Sequence, residues 1–143
     1  MRKFLLALAS LSFALLSSTA SAQQAPSLYN QLGEKAGITK VVDTFVGNIA
    51  KDARINGMFA STNIPRLKTL LVEQVCEVSG GPCKYTGRDM KSSHTGMGVN
   101  RTHFNALVED LQAAMSTEGI PFGVQNELLA VLAPMYRDII ATK

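Results

Sequence analysis

An all-α fold is predicted by three features of the chain. Apolar residues recur at intervals of three and four through four long segments, which gathers them on one face of each helix. The every-other-residue pattern of a half-buried strand is absent. Glycine and proline clusters, above all Gly80-Gly81-Pro82, punctuate the segments. Internal repeats and low-complexity stretches are also absent.

Taken in order, Leu28 to Leu32 reads as a short opening turn ended by Gly33, and Gly37 precedes the next element. From Ile38 to Ala50 the stripe is Ile38, Val41, Val42, Phe45, Val46 and Ile49. Asp52 to Ala60 reads as irregular, anchored by Met58 and Phe59. Thr62-Asn63 supplies a helix start, with Pro65 in the first turn, where its missing N–H costs nothing. That helix carries Leu67, Leu70, Leu71, Val75 and Val78 and stops at Gly80-Gly81-Pro82. After a non-periodic stretch a brief helix bears Met90 and His94, broken by Gly96 and Gly98. Phe104, Leu107, Val108, Leu111 and Met115 mark the next helix, closed by Gly119. Val124, Leu128, Leu129, Val131, Leu132, Met135 and Ile139 mark the last, with a kink predicted at Pro134.

Residues 1–22 read as an export address rather than structure. Arg2 and Lys3 form a positive start, Phe4 to Leu16 an apolar run, and Ala20-Ser21-Ala22 a small-residue cleavage site. The run is too short to span a bilayer comfortably and no stop-transfer signal follows. The expected product begins near Gln23, is periplasmic or secreted, and forms one domain over 23–143. Without Arg2 and Lys3 the count is twelve basic against eleven acidic residues, so the net charge falls from +3 to +1. The basicity belongs largely to the address, no cationic cluster remains, and a nucleic-acid partner is not indicated.

Cys76 and Cys83 both lie in the exported part, where a disulfide is the default. Their spacing is wider than that of a Cys-x-x-Cys redox pair, and a metal site would need more ligands than lie nearby. A structural staple is therefore expected, worth about 2 kcal/mol in the chain-entropy model.

From Gly80 to Asn100 only Tyr85, Met90, Met97 and Val99 offer apolar bulk. A segment so supplied packs weakly on a helix pair by itself, and a large apolar ligand beneath it would provide the missing contacts. His94 lies inside this segment. On a short helix followed by glycine, an imidazole can present one nitrogen to a metal while the backbone turns away. A lone histidine is more often a surface or hydrogen-bonded residue, so the neighbours must decide. His103, one position off the stripe led by Phe104, reads as a solvated helix-end residue rather than a second ligand.

Those neighbours resemble a known family. Leu28-Tyr29 with Gly33 and Gly37, Phe45, Phe59, Gly80-Gly81-Pro82, Tyr85-Thr86-Gly87-Arg88-Asp89-Met90, His94-x-Gly96 and Val131-Leu132-Ala133-Pro134 look like a group I truncated haemoglobin. The resemblance covers nearly all of 27–140, and its most specific part runs from Gly-Gly-Pro to His-x-Gly. It implies a two-over-two helical sandwich around haem b, with His94 as the axial ligand of the iron. It further implies that Phe59 and Phe45 lie against the porphyrin, with Met90 and Met97 on the His94 side and Tyr85 in the loop before it. Plain core packing would explain the apolar members equally. Lys68, Arg88 and Lys91 carry the charge that haem propionates require, as would any solvated cationic surface.

The chain departs from the family where gas is bound. Members that hold oxygen tightly usually place tyrosine where this chain has Val46, and glutamine at one or both positions matched by Leu67 and Leu71. The lysine or histidine that can occupy the sixth iron site is matched by Leu70. An apolar pocket around five-coordinate iron is thereby implied, with rapid release of oxygen, unless Gln74, one turn further on, turns inward. Two functions follow. One is a monomeric haem protein that reversibly binds dioxygen, nitric oxide or carbon monoxide, as carrier or scavenger, kept ferrous by a separate reductase. The other is an enzyme, a nitric oxide dioxygenase or a peroxidase-like detoxifier. Catalysis would call for distal helpers that are not visible in this sequence, so binding is favoured. A cofactor-free secreted module is the remaining alternative.

Overall fold

The computed structural model describes residues 25–140; the export segment read over 1–22 lies outside them. Two long helices, α2 (Glu34–Lys51) and α3 (Ile64–Val78), pack against each other, and α2 crosses onto α5 (Arg101–Thr117), which pairs with α6 (Phe122–Leu132). Shorter pieces complete this two-over-two arrangement: α1 (Leu28–Gln31), a 3-10 turn at Asn56–Phe59, α4 (Met90–His94), a 3-10 turn at Ala133–Met135 and α7 (Tyr136–Ile139). All regular structure among the described residues is helical. None of these helices is long and apolar enough to cross a membrane.

The stripe of α2 forms the centre of the core, with Ile38, Val41, Val42, Phe45, Val46 and Ile49 all buried. The helix begins a turn earlier than its first apolar residue predicts, so Gly37 lies inside it rather than before it. Gly33 takes a left-handed conformation (φ 79°), and the end of α1 then lies against the first turn of α2. A side-chain carbon at Gly37 would overlap the Leu32 carbonyl, so only glycine admits this approach.

Asn63 caps α3 through its Oδ1, which accepts from the Arg66 amide at 3.0 Å, with Pro65 in the first turn. Two faces of α3 are apolar. Val72, Val75 and Cys76 are buried in the core, while Leu67, Leu70 and Leu71 are only half-buried because they front a cavity. Between α2 and α3 the irregular segment is anchored by the fully buried Ile55, with Met58 and Phe59 half-buried.

The last helix does not merely kink. At Pro134 it breaks into α6, a 3-10 turn and α7, because proline removes a backbone donor and crowds the preceding turn. Val131, expected on the inner stripe, is 38% exposed on α6. Gln125 is buried yet satisfied: its Nε2 donates to the Ile120 carbonyl at 2.8 Å and to Ser116 Oγ at 3.2 Å, closing the turn from α5 to α6.

Candidate functional site

Between α3 and α4 lies a cavity of about 1040 Å³, walled by α2, α3, α5 and the α6–α7 break. Its walls are mainly apolar, with Phe45, Leu67, Leu71, Leu107, Leu111 and Leu128 among them. The void is large enough for a macrocycle rather than a metabolite of ordinary size.

His94 lines this cavity as the last residue of α4. The helix forms because Asp89 caps it: Oδ1 accepts from the Ser92 amide at 2.8 Å, and Oδ2 accepts from the Ser92 hydroxyl at 2.7 Å. The Ser92 hydroxyl and amide together hold the Asp89 carboxyl below the usual carboxylate range. Gly96, with φ 79°, then turns the chain away. One turn back from His94, the Met90 carbonyl lies 2.7 Å from the imidazole Nδ1. A carbonyl can only accept, so Nδ1 must carry a proton, and in the neutral imidazole the free lone pair is then on Nε2. That tautomer is the one a metal requires. Among the described residues no cluster of three or more His, Cys, Asp or Glu side chains is placed to hold an ion. His94 thus offers a single ligand, as a cofactor that brings its own remaining ligands would need.

Most residues assigned to this site from sequence meet in the same cavity: Phe45, Phe59, Leu67, Leu71, Tyr85, Arg88, Met90, His94 and Met97 all line it. Val46 and Lys68 do not. Val46 follows Phe45 by one helical step and so is turned toward a smaller neighbouring cavity of about 440 Å³, bounded also by Ile49, Phe59, Ile64 and Leu67. Lys68 is turned the same way from Leu67 and pairs with Asp43 of α2, Nζ to Oδ1 at 2.8 Å. Lys91 is likewise absent from the lining, and so is His103, whose Nδ1 accepts from the Asn100 amide at 3.4 Å in a capping box.

Gln74 does reach the cavity. Its Nε2 donates to two thioether sulfurs, Met90 Sδ at 3.3 Å and Met135 Sδ at 3.6 Å, both weak acceptors. Sequence reasoning missed Arg66, which lines the cavity and donates to Thr86 Oγ1 at 3.2 Å. It also missed the wall built by Leu129, Leu132, Met135 and Ile139, since periodicity assigns those residues to a helix face without saying what the face meets. With Arg66 and Arg88 as its cationic lining, an apolar interior and one imidazole, the cavity fits a flat apolar iron macrocycle bearing carboxylate arms.

Comparison with known proteins agrees with this geometry. The model of the bacterial-like globin family matches residues 27–141. A group 1 truncated hemoglobin of Mycolicibacterium paratuberculosis is 34% identical over 79% of this chain and 83% of its own length. One from Synechocystis is 32% identical over 79% of this chain and 96% of its own. Among solved structures, the Fe(III) form of truncated hemoglobin from Tetrahymena pyriformis superposes with a TM-score of 0.79 at 26% identity, covering 82% of this chain and all of that one. The cofactor of such hemoglobins is haem, and the cavity and its imidazole match it. With most of its length matched by the family and a third of the aligned residues identical to those of a relative, the chain belongs to the bacterial-like globin family, as a group 1 truncated haemoglobin.

Proposed function

We propose that this protein is an exported, monomeric haem b protein that reversibly binds a diatomic gas (dioxygen, nitric oxide or carbon monoxide) at iron held by His94. The observation that carries the reading is the His94 imidazole on the cavity wall with Nδ1 committed to the Met90 carbonyl. Haem iron, when bound, supplies one open coordination position for a small gas. The chain's own residues do the rest. His94 would hold the iron through Nε2. Phe45, Phe59 and the α3 leucines would exclude water from the gas side, and Arg66 and Arg88 would meet the carboxylate arms.

Binding is favoured over catalysis by what α2 and α3 present. Phe45, Leu67, Leu70 and Leu71 carry no hydrogen-bonding group, and the amide of Gln74, the α3 side chain that does turn inward, is taken up by the Met90 and Met135 sulfurs, so a polarised ligand beside those four residues finds no donor and no acid–base partner from them. A nitric oxide dioxygenase or peroxidase-like enzyme would call for such a partner, as would tight retention of oxygen. Rapid exchange of gas follows, with a separate electron donor keeping the iron ferrous.

The test is an absorption spectrum of the full chain, ferric and then dithionite-reduced, beside His94→Ala. A Soret band in the parent that is lost or shifted in the variant, with a five-coordinate reduced spectrum, is expected. A parent with no Soret band after haem is supplied would sink the reading. A six-coordinate reduced spectrum would mean an internal ligand and would remove the open site.

A further inference from the structure

The helix that carries His94 has no buried residue, and it leans on α7 rather than on α3. Its attachment to α3 runs instead through the segment before it. Three side chains on one face of α3, at positions i, i+3 and i+4, hold that segment. The Glu73 carboxylate accepts from the Thr86 amide at 2.9 Å and from its hydroxyl at 2.7 Å. Cys76 is bonded to Cys83. The Glu77 carboxylate accepts from the Tyr85 amide at 3.3 Å and from Lys84 Nζ at 3.2 Å. Those two carboxylates and the sulfur hold four consecutive residues, 83–86, against the helix.

The connection continues without a gap to the imidazole. Tyr85 donates its hydroxyl to the Arg88 carbonyl at 2.8 Å, and the same carbonyl accepts from the Ser93 hydroxyl at 3.2 Å, inside α4. From the adjacent position on α3, Gln74 donates to the sulfur of Met90, whose carbonyl fixes His94 Nδ1. At the start of the strap, a side-chain carbon on Gly81 would fall 2.7 Å from Cys76 Sγ, so the disulfide sits where only glycine admits it. The Thr86 hydroxyl, ahead of its amide, holds the Glu73 carboxyl below the usual range, so it stays ionised and accepting at neutral pH.

We propose that Glu73, Cys76 and Glu77 are positioning residues for His94, setting the separation of α3 from α4 and so the hold of the imidazole on iron between them. The proposal rests on the haem reading above. Partners one shell removed from a metal ligand orient it, and losing them typically weakens metal affinity roughly ten- to a hundredfold. Glu73 and Glu77 are not core residues, so their role differs from that of a general brace.

The experiment uses the full haem-loaded chain and three variants: Glu73→Ala, Glu73→Gln, and Cys76→Ala with Cys83→Ala. Two quantities are read, the iron–histidine vibration of the ferrous form by resonance Raman and the rate of haem transfer to excess apomyoglobin. Glu73→Ala and the cysteine-free variant are expected to transfer haem roughly ten- to a hundredfold faster and to shift the vibration. Glu73→Gln, whose amide oxygen still accepts from the Thr86 amide, is expected to stay near the parent. Unchanged transfer and vibration in Glu73→Ala would overturn the proposal. Faster transfer accompanied by loss of helical circular dichroism in that variant would overturn it too, because the change would then be unfolding. If the cysteine-free variant alone loses its helicity, Glu73→Ala decides. A parent without a Soret band would defeat the haem reading first, a result distinguishable from failure of the strap.

Discussion

Leu71 stands on the cavity side of α3, and on the function proposed above a side-chain amide there would face the bound gas. Leu71→Gln should therefore slow dioxygen release by roughly ten- to a hundredfold, the worth of one partly charge-assisted hydrogen bond. Carbon monoxide release should move far less. Stopped-flow measurement of both rates checks this, and equal effects on the two gases would show that the residue acts through packing. Asp110, away from the cavity on α5, is a different residue-scale problem. Its Oδ2 is buried without a hydrogen-bond partner, and burial first, then the nearby Asp52, pushes its carboxyl above the usual range. A raised folded value means that the protonated form is favoured on folding. That stability is present below the ordinary carboxylate pKa and is lost as pH rises through the folded value. Asp110→Asn should accordingly stabilise the protein at pH 7 by about 0.5–1 kcal/mol, kept small because solvent screens the rest of the side chain. The gain should vanish near pH 3. Urea unfolding at the two pH values measures it; an equal gain at both would refute the cause given.

At the scale of elements, each end of a helix is settled by one or two side chains. Asn100 caps α5 with Oδ1 accepting from the His103 amide at 3.0 Å, while His103 returns the bond to the Asn100 amide. Asn100→Ala should cost about 1 kcal/mol of unfolding free energy and leave the Soret band unchanged, since neither residue fronts the cavity. Thermal unfolding followed by circular dichroism, beside the spectrum, would show both. His103 thus serves the helix end where it was expected, as a capping partner. The α6–α7 break shows the opposite economy: one proline in an otherwise continuous stripe turns Met135 and Ile139 toward the cavity and Met135 toward Gln74. The stripe and the proline were both readable, but the size of the bend was not, because it depends on what α4 and α7 pack against.

For the molecule as a whole, periodicity told which residues are apolar together, and it did so correctly for α2, α3 and α5. The two cysteines were readable as a staple because their spacing and the expected export both favoured it, and they are bonded to each other. His94 was readable because its glycine-rich surroundings carry a recognisable pattern. By itself, then, the chain determined an all-helical fold, the staple, the family and which histidine the family motif singles out, since each depends on local spacing or on a contiguous motif. Tertiary structure decided which face of α3 meets the core and which meets the cavity. It sent Val46 and Lys68 elsewhere, brought Arg66 and Gln74 in, and set the α3 carboxylates on the segment before His94. The physical reason is direction: spacing fixes the angle between side chains on one helix, whereas the partner each meets is fixed only when a second helix, distant in sequence, is laid against it.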